Sequence, residues 1–163
     1  MEIYILRHGI AAERGSRGYK NDSDRPLTKE GEDKTRQVAK AMLSMDLRFD
    51  LILSSPFVRA RRTAEIVADE LQQEVTFSEF LESGGNQLKL IAEINDEKPQ
   101  RVLLVGHEPD LTQLISVLIT GNSDARIELK KGGLCKLTSE KLTFGSCATL
   151  NWLLTPKILR SIA

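Results

Sequence analysis

With 163 residues, 40% apolar and 28% charged, the chain has the composition of one ordinary globular domain spanning 1–163, able to bury roughly two-thirds of its unfolded surface. Its 23 lysines and arginines balance 23 aspartates and glutamates, which removes the basic excess expected of a nucleic-acid or membrane-surface partner. No stretch approaches a membrane span and no leader is visible, so the expected compartment is the cytoplasm; Cys135 and Cys147 lack metal-ligand spacing and read as reduced thiols.

The chain opens on Ile3-Tyr4-Ile5-Leu6, a short apolar run that predicts a buried strand. It ends abruptly in Arg7-His8-Gly9, where glycine suits a sharp exit. Ile10 to Arg25 is polar and aperiodic and predicts a mobile loop. Its cations Arg14, Arg17, Lys20 and Arg25 are either solvated or the rim of an anion site. Thr28 is then placed to cap a helix, with Glu30 and Glu32 in the favoured first turn and Val38, Ala39, Met42 and Leu43 on one face.

Leu51 to Ser54 predicts a second buried strand, followed by Ser55 as N-cap and Pro56 at the first position of a helix reaching Leu71. Val75 to Phe77 predicts a third strand, Gly84-Gly85 a turn, and Asn86 the cap of a short helix through Ile94. Val102 to Val105 repeats the opening construction, an apolar strand running into Gly106-His107. A helix carrying Leu111, Leu114, Ile115 and Leu118 follows and stops at Gly121. Leu134 to Thr138 and Cys147 to Leu154 predict two strands joined by a hairpin-like turn, and Pro156 opens a terminal helix.

Strands alternating with amphipathic helices imply a three-layer α/β/α sandwich, and the late strand pair makes its sheet mixed but mostly parallel. Three strand-to-helix junctions then offer polar side chains to one sheet edge, where ligands bind in open α/β sheets. They are Arg7 with His8, Arg59 near the start of the second long helix, and His107. These are the chain's only two histidines. Guanidinium groups grip phosphoryl oxygens in a fork that an ammonium cannot reproduce. Singly, a strand-end histidine is more often structural, and Arg61 and Arg62 read as a solvated face paired with Glu65. Together the junctions point to a phosphate site.

Leu6-Arg7-His8-Gly9, Ser55-Pro56-Phe57-Val58-Arg59-Ala60 and Val105-Gly106-His107-Glu108-Pro109, with Arg25-Pro26-Leu27-Thr28 and Gly31, resemble in order the motifs of the histidine phosphatase superfamily. The resemblance implies the phosphoglycerate-mutase-like fold. The short chain leaves no room for a lid and looks like the SixA-type phosphohistidine phosphatases, which remove phosphate from histidine on phosphotransfer proteins. It implies His8 as nucleophile, Arg7, Arg59 and His107 as phosphate ligands, His107 adding charge if it is protonated, and Glu79 or preferably Glu82 as general acid. The two arginines are expected to lower the His8 pKa and keep it neutral for attack. No metal or other cofactor is expected. The implied partner is a phosphorylated histidine phosphotransfer domain. A small phosphomonoester is the alternative substrate, and a non-catalytic phosphate-recognition module the alternative class.

Overall fold

The computed structural model describes residues 1–163. Six strands form one sheet in the spatial order β3-β2-β4-β1-β5-β6, comprising β1 (Glu2–Arg7), β2 (Leu51–Ser54), β3 (Thr76–Phe77), β4 (Arg101–Gly106), β5 (Leu134–Ser139) and β6 (Ala148–Leu154). The first four run parallel, while β5 pairs antiparallel to both β1 and β6, so the sheet is mixed as expected. The helices are α1 (Lys29–Ser44), α2 (Val58–Leu71), α3 (Gln87–Glu97), α4 (Asp110–Thr120) and α5 (Pro156–Ile162). None is long and apolar enough to cross a membrane.

The uninterrupted apolar runs of β1 and β4 have a direct cause. Both strands lie inside the sheet with helices on each face, so consecutive residues are buried on alternate sides. Tyr4 and Leu6 pack with Val38, Met42 and Ala64 beneath α1 and α2, while Ile3 and Ile5 pack with Ile94, Leu114 and Leu118 beneath α3 and α4. The result is the predicted three-layer sandwich.

Local signals in the sequence held where the side chain itself is the device. Thr28 accepts from the Gly31 N–H at 2.9 Å, Asn86 from the Lys89 N–H at 3.0 Å, and Gly121 ends α4 with φ of +86°. Cys135 and Cys147 are free thiols. Three expectations need correction. The helix after β2 does not begin at Ser55-Pro56: Phe57 is the N-cap and Val58 the first residue, and the Ser55 hydroxyl stands outside the helix, meeting both the Phe57 N–H and His107. β3 loses Val75 and keeps only two exposed edge residues. Gly9 does not adopt a positive φ; it is there for room, since a Cβ would meet Thr35 Oγ1 at 2.5 Å.

Register brings the chemistry together. Arg7 is level with Gly106 across β1 and β4, and Ser54 with Val105 across β4 and β2. Beyond the paired strands, the His8 N–H donates to Gly106 O at 3.2 Å and the Ser55 N–H to Val105 O at 3.0 Å. Three chain-distant junctions therefore leave the sheet side by side at its carboxyl edge.

Candidate active site

His8 and His107 are both buried, with ring centroids 5.2 Å apart. The hydrogen bonds of His8 determine its tautomer. Nδ1 lies 2.7 Å from Gly9 O, which can only accept, so Nδ1 carries the proton. Nε2 lies 3.3 Å from the Arg59 Nε–H, which can only donate, so Nε2 presents a lone pair. Burial first, with the Gly9 carbonyl opposing it and then His107, Arg59 and Arg7 reinforcing it, brings the His8 pKa down to about 2. The imidazole is thus neutral, oriented and nucleophilic at one nitrogen. The arginines act in the expected sense, but burial is the larger cause.

Arg59 is the second residue of α2, in a first turn where the helix dipole disfavours a cation. It is nonetheless almost wholly buried, and the loop before α1 accounts for it. Nη1 donates to Asp22 O at 2.7 Å and Nη2 to Asp22 Oδ2 at 3.0 Å, while Nε faces His8. Asp22 Oδ1 also lies 3.3 Å from both Arg14 Nε and Arg25 Nε. A carboxylate close to three guanidiniums thus anchors the Asp22 end of the 10–25 segment, while residues 13–18 lie exposed. Asp22 escaped the sequence reading because an aspartate in a polar loop carries no local signal. Arg25, read there as a rim cation, is buried.

His107 Nε2 lies 2.8 Å from Ser55 Oγ, which also accepts from the Phe57 N–H at 3.2 Å. The network closes when the serine hydroxyl donates to Nε2 and leaves the proton on Nδ1. Burial, then Arg59, bring the His107 pKa to about 3, with Asp22 acting in the opposite sense. In the unliganded protein His107 is therefore neutral, and it meets an anion without the charge it would add if protonated. Arg7 anchors one terminal nitrogen on Leu129 O at 3.0 Å.

Across the whole chain, three buried side-chain nitrogens lack a hydrogen-bond partner: Arg7 Nε, Arg25 Nε and His107 Nδ1. All three belong to this one cluster. Arg25 Nε is near enough to Asp22 for charge pairing but is not aligned as a hydrogen bond. A buried donor without an acceptor costs about 1–3 kcal/mol, so the unsatisfied nitrogens of Arg7 and His107, both at the sheet edge that carries His8, suit an oxyanion from outside the chain. Glu82 ends a short 3-10 turn (Glu79–Leu81), half-buried, and its carboxylate makes no hydrogen bond or ion pair with these groups. Glu79, the other candidate acid, opens the same turn. Arg61 pairs with Glu65 at 2.8 Å and Arg62 with the same carboxylate at 3.8 Å, as expected, and Arg62 also reaches Glu32 on α1 at 2.9 Å.

Two measurements test this geometry. Asp22→Ala is expected to free the tips of Arg59 and lower turnover about 10- to 100-fold with a smaller change in KM, while Asp22→Asn, which keeps an acceptor, retains more activity. An unchanged kcat in Asp22→Ala would show that Arg59 needs no such tether. The second concerns pH. Both imidazoles have folded pKa values far below the ordinary 6.5, so the unfolded chain takes up protons that the folded chain refuses. The stability they contribute is complete above about pH 6.5 and declines as pH falls towards the folded values, by up to about 1.4 kcal/mol per pH unit for each histidine. Between about pH 6.5 and 4.5, above most carboxylate titration, denaturant midpoints should fall, and His107→Gln should flatten that slope. A slope identical in the variant would contradict the burial of a neutral His107.

Comparison with known proteins agrees with this geometry. Residues 3–84 match the model of the histidine phosphatase superfamily (branch 1). The chain is 39% identical over 143 residues to an uncharacterised protein of Picosynechococcus sp., covering 85% of this chain and 86% of the relative. It is 28% identical over 161 residues to the phosphohistidine phosphatase SixA of Escherichia coli K12, covering 96% and 94% of the two chains. A solved structure of the protein histidine phosphatase SixA complexed with tungstate superimposes with a TM-score of 0.80 at 28% identity, over 96% of this chain and 98% of that one. The fold is thus the phosphoglycerate-mutase-like one.

Proposed function

The chain belongs to the histidine phosphatase superfamily, and from that premise we propose that it is a phosphatase working through a covalent phosphohistidine on His8, its substrate being phosphohistidine on a phosphotransfer signalling protein. One observation carries the catalytic reading: the Nε2 lone pair fixed by the Gly9 contact meets the Arg59 Nε–H, at a sheet edge where Arg7 and His107 each keep a buried nitrogen without a partner.

The steps follow from the geometry. His8 Nε2 attacks phosphorus, and the bond from phosphorus to the leaving atom breaks with its electron pair going to that atom. The Arg59 Nε–H, which meets the lone pair in the resting state, is released to a phosphoryl oxygen as Nε2 bonds to phosphorus. Arg7 Nε, Arg25 Nε and the His107 Nδ1–H supply acceptor-seeking donors for the charge on the remaining oxygens. Water then attacks the phosphohistidine, breaking the P–Nε2 bond and returning His8 to its starting form with release of inorganic phosphate.

The substrate reading rests on the leaving group and on the likeness to SixA. A phosphohistidine whose free ring nitrogen is protonated leaves as neutral imidazole and needs no acid from the enzyme. Glu82→Gln is accordingly expected to leave turnover of a phosphohistidine protein within about twofold of the parent, while aryl phosphates, whose oxygen leaves as an anion, slow by about 10-fold or more. Equal losses on both substrates would make Glu82 a general acid for the phosphohistidine reaction as well. The reading as a whole is tested by incubating the protein with a phosphorylated histidine carrier and a panel of small phosphomonoesters. Faster turnover of the carrier, with acid-labile phosphate appearing on His8, is expected; preference for a small ester would replace the substrate assignment. Absence of any label on His8 would replace the mechanism.

A further inference from the structure

Beside the reaction centre lies a second cleft, of about 160 Å³, bounded by the segment after His8, the first turns of α1, the Lys131-Gly132 turn and the start of α5. It shares backbone with the catalytic strand end. Gly9 lines it directly after His8, and the Gly132 N–H donates to Arg7 O at 3.0 Å and His8 O at 3.2 Å. Its walls are rigid, because α1 presses against the loop closely enough that a Cβ on Gly31 would meet Ile10 O at 2.0 Å.

The cleft is positively charged in a chain whose net charge is zero. Lys34, Lys131, Lys157 and Arg160 line it. Lys34 pairs with Glu30 at 2.5 Å, but Lys131, Lys157 and Arg160 form no ion pair. Glu13 is the acid whose field reaches Lys131, and the field of Glu30 also reaches Arg160. Burial, followed by the charges of Arg7, Arg25 and Arg59, lowers the Lys131 pKa, so the cleft and the phosphate site lie in one continuous positive field. Lys157 is exposed in the first turn of α5, whose dipole disfavours a cation, and it makes no hydrogen bond or ion pair. An unpaired cation on the wall of a cleft suits an anion from outside the chain.

We propose that this cleft takes an acidic side chain of the phosphorylated partner protein, docking it beside the phosphohistidine that enters the His8 site. The proposal rests on the phosphoprotein substrate proposed above. Lys157 and Arg160 supply the charge, and Pro156 offers apolar contact to its methylenes. Small phosphoesters, which reach His8 without touching α5, do not use it. The cleft therefore acts on partner choice and on the rate of encounter, not on the chemical step.

Lys157→Glu is the chosen variant because negative charge in the first turn of α5 favours that helix; Lys157→Glu with Arg160→Gln is the stronger form. Kinetics are read on an aryl phosphate and on a phosphohistidine carrier, at low and high salt. The proposal expects unchanged aryl phosphate turnover and a rise in KM for the carrier of about 10-fold or more, shrinking with added salt. Carrier kinetics equal to the parent's would overturn it. If the parent protein hydrolyses the aryl phosphate but no carrier, the substrate reading has failed, and the cleft is then judged by a tetra-glutamate peptide. Salt-sensitive binding of the fluorescently labelled peptide that disappears in Lys157→Glu keeps the cleft as an acid-binding site, and absence of binding removes it.

Discussion

Replacing His8 with alanine is expected to eliminate covalent labelling and to lower turnover by at least about a thousandfold, on phosphohistidine proteins and aryl phosphates alike. The magnitude follows from what the side chain does. It supplies the one nitrogen lone pair among the donor groups, held neutral by burial with a pKa near 2 and oriented by the Gly9 carbonyl. The remaining arginines and His107 still bind phosphate, so the variant should keep its affinity for inorganic phosphate or tungstate while losing turnover. That separation matters, because loss of both would report collapse of the site. The variant should also lose the share of acid sensitivity that belongs to His8, which denaturation at pH 5 and 7 measures on the same material. Steady-state activity within tenfold of the parent would end the case for this nucleophile.

Arg59→Lys is expected to cost about 100-fold or more in kcat/KM although the charge is preserved. The guanidinium divides its donors between two tasks: its terminal nitrogens hold Asp22, and Nε–H faces the nucleophile. An ammonium has no fork with which to do both and cannot span from the Asp22 carboxylate to His8 in the same geometry. Arg59→Ala should cost more, since it also leaves Asp22 facing Arg14 and Arg25 without its buried partner and opens a void beneath α2. If lysine restores activity close to the parent, charge alone suffices and the bidentate argument is wrong. Thermal unfolding of the lysine variant is needed beside the kinetics, because Arg59 is among the largest fully buried side chains in the molecule.

Much of this protein was legible before any coordinates. Apolar runs ending in Arg7-His8 and Gly106-His107 could only be interior strands opening onto polar junctions, and Thr28, Asn86 and Gly121 marked helix ends through their own side-chain or backbone chemistry. These are short-range facts, decided by residues a few positions apart, and the sequence by itself determined them, together with the family motifs. Ser55 has a long-range partner that no local signal marks: its hydroxyl, besides accepting from the Phe57 N–H, meets an imidazole 52 residues away. Gly9 misled because the atom that forbids its Cβ is on Thr35 in another element. What only the tertiary structure decided was which groups face one another across the sheet edge. The choice of proton-bearing nitrogen on His8, the three unpaired donors and the grip of Asp22 on Arg59 are pairwise geometries between distant segments. Hydrogen bonds and ion pairs act over a few ångströms, so residues far apart in sequence show no trace of them until the strands have set the distances.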